Sequence, residues 1–153
     1  MLPTTDLTRF TTNYHFDKTN IPINYIEALN KVEELVIKVL TKTLKDPSNQ
    51  VRIVTNGCQG WVQGSAEAYY PRLSSFLKEN PVPIISARAQ YSHLYPSNPS
   101  TPLIPIDSPH LWKPLAFEGL LPDLSRAVTS LLVMGDSQND LDAALYLSKY
   151  INY

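Results

Sequence analysis

Two acidic residues follow an apolar run at a spacing that suits the binding of a metal ion. The run of residues 131–134 and a glycine are followed by Asp136 and Asp140, four residues apart. If a helix begins there, the two carboxylates lie on one face of it. One or two carboxylates, with phosphate and water, are the usual ligands of Mg²⁺ in proteins. The same pattern is typical of a plain strand–turn–helix junction, with Asp136 as a helix cap and Asp140 as a solvated acid of the first turn.

The segments around these acids alternate between helices and strands. The pattern predicts a loop or arm over 1–22, strands over 51–54, 82–85 and 131–134, and a polyproline II segment between Pro96 and Pro105. It predicts helices over 24–44, 61–77, 111–117 and 138–150. The first helix has a capping box at Asn24 and Glu27, the second is broken at Pro71, and the third has Pro114 in its first turn. This alternation predicts an α/β fold with a doubly wound parallel sheet, in one domain over residues 1–153.

Composition excludes several classes of partner and compartment. A net charge of −1 argues against a nucleic acid or an anionic membrane as the main partner. No apolar run in the sequence is long enough to span a bilayer, and the N-terminal residues do not form a signal peptide. The single cysteine, Cys58, permits no internal disulfide, which fits a reducing compartment. We therefore expect a cytoplasmic protein.

Three stretches resemble the second, third and fourth motifs of the haloacid dehalogenase-like (HAD) hydrolase superfamily. They are residues 53–56 at the end of a strand, Lys113 at the start of a helix, and residues 135–140 at the end of a later strand. The resemblance is closer still to a subgroup of HAD-like proteins from protists and other microbial eukaryotes. Stretches similar to residues 55–65, 86–88 and 112–117 occur in that subgroup in this order. The resemblance implies a Rossmann-like sheet.

The resemblance also implies Mg²⁺-dependent hydrolysis of a phosphorylated substrate through an aspartyl-phosphate. Carried over by position, Thr55 and the backbone N–H of Asn56 would bind a phosphate oxygen. Lys113 would place a positive charge between nucleophile and phosphate, so that Thr55 and Lys113 are the implied catalytic residues. Asp136 would ligate Mg²⁺, and Asp140 would hold the water shell of the metal or orient Lys113. The identity of the substrate does not follow from the motifs.

The nucleophile motif of the family, a strand ending in D-x-D-x-T, does not occur in the chain. The closest string, at Asp17 and Thr19, follows no apolar strand. Residues 1–5 resemble the stretch that directly follows the motif in the subgroup. We therefore expect an incomplete chain that lacks the first, central strand and, at its other end, the further strand that the family usually has. Such a chain should be poorly stable and inactive by itself.

Two alternatives remain at the level of sequence. One is a non-catalytic HAD-like binding or regulatory protein that begins at Met1. The other is an unrelated doubly wound fold, for example a receiver-like domain, in which Asp136 and Asp140 bind a metal without hydrolysis. The prolines between Pro96 and Pro105 offer a further possibility, since such a segment can dock in an aromatic groove of a partner, although a stiff loop is the simpler interpretation.

Overall fold

The computed structural model of the chain describes residues 11–12, 15–16, 21–94, 109–122 and 130–150. The segment predicted between Pro96 and Pro105 lies outside these residues, as does most of the predicted N-terminal loop or arm. Within that arm, β1 (Thr11–Thr12) and β2 (His15–Phe16) pair antiparallel. Strands of two residues are too short to carry a hydrophobic alternation, so the sequence pattern did not predict this pairing.

The helix predicted over residues 24–44 is confirmed as α1 (Ile23–Leu44). One face of it carries the buried side chains, which are Leu29, Glu33 and Leu40. The capping box predicted at Asn24 and Glu27 is wrong, because the helix begins before Asn24. Pro22 occupies the N-cap position instead, and its carbonyl oxygen accepts the first backbone hydrogen bonds of the helix.

Pro71 divides the next helical stretch, as predicted. The two helices are α2 (Trp61–Tyr69) and α3 (Pro71–Glu79). A proline fits the first turn of a helix but not its interior, which explains why one helix ends and another begins here. Tyr69, the last residue of α2, packs against Leu29 of α1 in a small apolar core.

A buried carboxylate fastens α1 to the start of α3. Glu33 is 1% exposed, and its Oε1 accepts the backbone N–H groups of Arg72 (2.7 Å) and Leu73 (2.9 Å). Its Oε2 accepts a hydrogen bond from Arg72 Nε at 2.7 Å. The first N–H groups of a helix have no partner within the helix, so Glu33 satisfies donors that α3 cannot satisfy itself.

Two of the predicted strands are present. β3 (Ile53–Thr55) and β4 (Ile84–Ser86) form a two-stranded parallel sheet, and α4 (Ala87–Tyr91) follows β4 directly. Parallel strands need a crossover connection, which α2 and α3 provide. The described residues thus form a mixed α/β structure that is mostly helical. A larger, doubly wound Rossmann-like sheet stays a prediction.

The strand predicted over residues 131–134 is wrong, because the structure assigns these residues to no strand. Their side chains do alternate as those of a strand would: Leu131 and Val133 pack on an apolar cluster, whereas Leu132 and Met134 are 83% and 64% exposed. A strand is defined by backbone pairing, and no segment in the described ranges pairs with this one. The apolar pattern therefore predicts side-chain burial correctly here but not pairing.

Two further helices confirm predictions. α5 (Pro109–Glu118) and α6 (Gln138–Ser148) correspond to the helices predicted over 111–117 and 138–150. Pro114, however, lies inside α5 and not in its first turn, because the helix begins earlier than predicted. None of the helices that the structure describes is both long enough and apolar enough to cross a membrane.

The chain divides into two compact units. The first comprises Met1–Ile53 and Gly60–Ile84, and the second comprises Val54–Gln59 and Ile85–Tyr153. The second unit has two buried clusters, one of Ala87, Trp112 and Ala116 and one of Phe117, Ala143 and Leu147. Every residue predicted for the functional site belongs to the second unit. A single domain over the whole chain stays a prediction.

Candidate functional site

Two hydrogen bonds hold the turn that follows β3. Thr55 Oγ1 accepts the backbone N–H of Gly57 at 3.0 Å, and the Gly57 carbonyl oxygen accepts a hydrogen bond from Ser86 Oγ at 2.7 Å. Thr55 and Asn56 are half-buried in this turn. Thr55 ends β3 and Ser86 ends β4, so both lie at the carboxyl end of parallel strands. That edge is where open α/β sheets bind their ligands.

Lys113 and Asp140 form an ion pair between α5 and α6. Lys113 Nζ donates a hydrogen bond to Asp140 Oδ1, and each side chain is only 12% exposed. The neighbouring Trp112 is buried in the core. His110 Nδ1 and Asn139 Oδ1 make a second side-chain contact between the same helices. The hydrogen bond to Asp140 gives the Lys113 ammonium a defined position. Because the pair is partly buried, salt screens it much less than an exposed ion pair.

The other carboxylate oxygen of Asp140 binds the start of α6. Oδ2 accepts hydrogen bonds from Ser137 Oγ at 2.6 Å and from the Ser137 backbone N–H at 3.1 Å, and the two residues form a capping box. The alternative interpretation of Asp136 as the helix cap is wrong, because Ser137 occupies the N-cap position. The interpretation of Asp140 as a solvated acid is also wrong, because Asp140 is buried.

Opposing effects act on the acidity of Asp140. Burial by itself raises the pKa of a carboxyl group, because it disfavours the charged form. Hydrogen bonds from Lys113 and Ser137, together with the positive charge of Lys113, outweigh burial and hold the pKa of Asp140 below its ordinary value of 3.8. At neutral pH, Asp140 is therefore a carboxylate that keeps Lys113 in place.

Asp136 and Asp140 differ as possible ligands of Mg²⁺. Asp136 is exposed to solvent, so its carboxylate is accessible to a metal ion. Both oxygens of Asp140 already accept hydrogen bonds, so Asp140 does not fit a direct ligand. Within the described ranges, no group of three or more His, Cys, Asp or Glu residues is arranged to hold a metal ion. Mg²⁺ often takes only one or two protein carboxylates beside substrate phosphate and water, so the fit rests on Asp136 alone.

Val54 links the turn after β3 to the helices that carry the ion pair. It precedes Thr55 and packs against both buried clusters of the second unit, to which α5 and α6 contribute residues. Lys113 and Asp140 belong to these same two helices. The structure therefore joins Lys113 directly to Asp140, and it places Thr55 next to a residue that packs on the clusters to which their helices contribute.

Three residues of the motif stretches position the site, although sequence analysis gave them no such role. Ser137, three residues before Asp140, gives the S-x-x-D pattern of a capping box, so its signal was present. Gly135 leaves space that the Asp140 side chain occupies, and Ser86 binds Gly57, 29 residues away. No local pattern reveals the contact of Ser86 with Gly57, because it depends on how the chain folds back on itself.

The candidate residues supply a hydroxyl group, an ammonium group and carboxylates, which are groups that suit a phosphorylated ligand with Mg²⁺. No protein-family model matches the chain, and no curated protein and no solved structure is significantly similar to it. HAD membership therefore stays a prediction that rests on the three motifs.

Proposed function

We propose that the second unit binds the phosphoryl group of a phosphorylated substrate, as the phosphate site of a HAD-like phosphohydrolase. Thr55, Asn56 and Lys113 are the phosphate-binding residues of this proposal, and Asp136 is the Mg²⁺ ligand. The ion pair of Lys113 with Asp140 is the observation that carries it, because a mostly buried lysine held by a carboxylate is unlike an ordinary surface lysine.

Lys113 would supply positive charge and hydrogen bonds to the phosphoryl oxygens. Removing an ammonium from water costs free energy, which the carboxylate of Asp140 offsets. An ammonium has N–H groups beyond the one that Asp140 accepts. Hydrogen bonds from a charged donor to phosphate are stronger than those between neutral groups. Lys113 can therefore bind Asp140 and a phosphoryl oxygen at the same time.

Thr55 would supply a neutral donor. A hydroxyl group donates one hydrogen bond and has lone pairs to accept others. The N–H of Gly57 uses an acceptor position of Thr55 Oγ1 and leaves the O–H of Thr55 for a phosphoryl oxygen. The contact with Gly57 also restricts the side-chain rotation of Thr55, which lowers the entropy lost on binding. In the proposed site, the backbone N–H of Asn56 donates beside it.

Mg²⁺ would be held by Asp136 together with phosphate and water. When bound, the ion neutralises negative charge on the phosphoryl oxygens. The role of Asp140 in this proposal is to orient Lys113, since both of its oxygens are engaged. A single protein carboxylate gives weak metal affinity, so we expect phosphate and Mg²⁺ to bind together.

We do not expect turnover by these 153 residues alone. Catalysis through an aspartyl-phosphate needs a carboxylate that bonds to phosphorus while the alcohol of the substrate departs. The 153 residues contain no D-x-D-x-T stretch to provide it. Binding of a phosphoryl group needs only the donors and charges described above, so we expect binding without hydrolysis.

A non-catalytic HAD-like binding or regulatory role is the second candidate, because the ion pair of Lys113 with Asp140 and the donors of the turn suffice for binding without a nucleophile. The two candidates differ in what a restored nucleophile would do. An apolar strand ending in D-x-D-x-T, fused before Met1, should produce Mg²⁺-dependent hydrolysis of a phosphate ester if the site is that of a phosphohydrolase. A site evolved only for binding should give no turnover with the same fusion.

Isothermal titration calorimetry tests the proposed binding: inorganic phosphate is titrated into the chain in the presence of Mg²⁺. Loss of a charged hydrogen bond costs about 1.5–3 kcal/mol, so Lys113→Met should weaken phosphate binding by about tenfold or more. Lys78→Met is the matched control, because Lys78 is a surface lysine of the first unit that pairs with Glu67. Equal phosphate affinity in the two variants, or no binding by the unaltered chain, would contradict the proposal.

A further inference from the structure

Ser86 connects the end of β4 to the turn after β3. It is buried, and its hydroxyl donates to the carbonyl oxygen of Gly57 at 2.7 Å. The hydroxyl oxygen of Ser86 also accepts the backbone N–H of Ala89 at 3.0 Å and so caps α4. A serine hydroxyl can donate one hydrogen bond and accept another, so both contacts form together without competing.

Gly57 is consequently held on both of its backbone polar groups. Its N–H binds Thr55 Oγ1, and its carbonyl oxygen binds Ser86 Oγ. The first bond lies within the turn, whereas the second joins the turn to a different strand. Of these two bonds, it is therefore the Ser86 bond that fixes the position of the whole turn relative to β4.

The chemistry of a phosphate site makes this position matter. Thr55 and the N–H of Asn56 must both reach one phosphoryl group, and hydrogen bonds weaken steeply when distance and angle depart from their optimum. Groups in a binding site are effective when their neighbours keep them within about 0.5 Å of the productive geometry. Gly57 directly follows these two residues, so its displacement would move both donors.

We infer that Ser86 is a positioning residue for the phosphoryl-binding turn, acting through the Gly57 carbonyl oxygen. This inference rests on the proposed function, since it assigns to Ser86 an effect on phosphate affinity. Ser86 itself touches no phosphate. Its hydroxyl orders the turn before the ligand arrives and thereby reduces the entropy that binding must overcome.

Two variants of Ser86 test this role. Ser86→Ala removes the hydroxyl, and Ser86→Thr retains it. Ser75→Ala is the matched control, because the Ser75 hydroxyl also binds a backbone carbonyl, that of Pro71, but within one turn of α3. Phosphate affinity with Mg²⁺ is measured by calorimetry for each, and hydrogen exchange of the Gly57 amide reports the order of the turn independently of any ligand.

Ser86→Ala loses both the bond to the Gly57 carbonyl oxygen and the cap of α4. Because the bond to Gly57 is the one that positions the turn, we expect this variant to bind phosphate about tenfold more weakly, a change on the scale of one ordinary hydrogen bond. Its Gly57 amide should exchange faster, Ser86→Thr should recover affinity and protection, and Ser75→Ala should change neither. Unaltered affinity and unaltered Gly57 exchange in Ser86→Ala would overturn the inference while leaving the proposed function intact. Absence of phosphate binding by the unaltered chain would instead refute the proposed function, and the effect of Ser86 on affinity with it.

Discussion

The side chain of Asp140 occupies the space in which a β carbon on Gly135 would lie. A Cβ added at Gly135 would overlap the Cβ and the carboxyl group of Asp140. The same carboxyl group accepts hydrogen bonds from Lys113 and Ser137. The absence of a side chain at position 135 therefore allows Asp140 to reach both partners.

Gly135→Ala should disrupt this arrangement. An added methyl group must displace Asp140, and overpacking of this kind costs about 1–3 kcal/mol of the free energy of unfolding. Urea denaturation measures the loss. Gly119→Ala provides a graded comparison, because the atom nearest to a methyl group added there, Tyr91 Oη, is 3.1 Å away, which is a much milder overlap. Equal losses in the two variants would show that the contact between Gly135 and Asp140 does not limit stability.

Asp140 should make the free energy of unfolding decrease as the pH falls through the acidic range. Its pKa is lower in the folded chain than the ordinary 3.8, because the bonds from Lys113 and Ser137 outweigh burial. As pH falls below 3.8, the unfolded chain binds the proton first, so stability decreases until the pH has passed the folded pKa. Well above 3.8 the contribution of Asp140 is fully present.

Unfolding of the unaltered chain and of Asp140→Asn, compared from about pH 7 down to about pH 2, isolates this contribution. The stability difference between them should shrink over the acidic part of that range. Lys113→Met should reduce the pH-dependent part, because it removes the main partner of the carboxylate. A stability difference that grows as pH falls would contradict the assigned direction of the pKa shift.

Glu33 should contribute more to stability than the exposed ion pair between Lys78 and Glu67 in the first unit. Glu33→Ala leaves the N–H groups of Arg72 and Leu73 without their acceptor, and a hydrogen bond to a charged group contributes about 1.5–3 kcal/mol. Glu67→Ala is the control, because exposed pairs of this kind contribute about 1 kcal/mol or less. Chemical denaturation should rank Glu33→Ala well below Glu67→Ala in stability, and the reverse order would refute the capping role of Glu33.

Helices were the part of this fold that sequence could predict. Apolar residues at helical spacing mark α1 and α6, and Pro71 marks the division between α2 and α3, because these signals are local. Boundaries were less accurate: α1 begins before Asn24, and α5 begins early enough to enclose Pro114. The residue at which a helix begins depends on which backbone N–H and C=O groups find hydrogen-bonding partners. Sequence composition does not determine this to the residue.

Contacts between distant residues could not be derived from local pattern. The resemblance to HAD motifs directed attention to Lys113 and Asp140, and the structure pairs them across 27 residues. Glu33 and Arg72 are 39 residues apart, and nothing near either residue indicates their bond. Hydrophobic periodicity predicts which face of an element is buried but not which polar side chain will be buried with it.

The exposed apolar side chains of Leu132 and Met134 should limit the solubility of the protein. Leu132 and Met134 are largely exposed on a segment that no described strand covers, and uncovered apolar segments of extended pattern promote association. Leu132→Lys or Met134→Lys should raise the protein concentration at which light scattering by aggregates first appears. Neither change should alter the free energy of unfolding much. Val133→Lys is the matched comparison, because Val133 packs inward on the cluster with Phe117. That change should lower the free energy of unfolding by about 1–3 kcal/mol, as expected when a charge replaces a partly buried apolar side chain that packs on a core cluster. Comparable destabilisation by Leu132→Lys and Val133→Lys would show that the two sides of the segment are not differently buried.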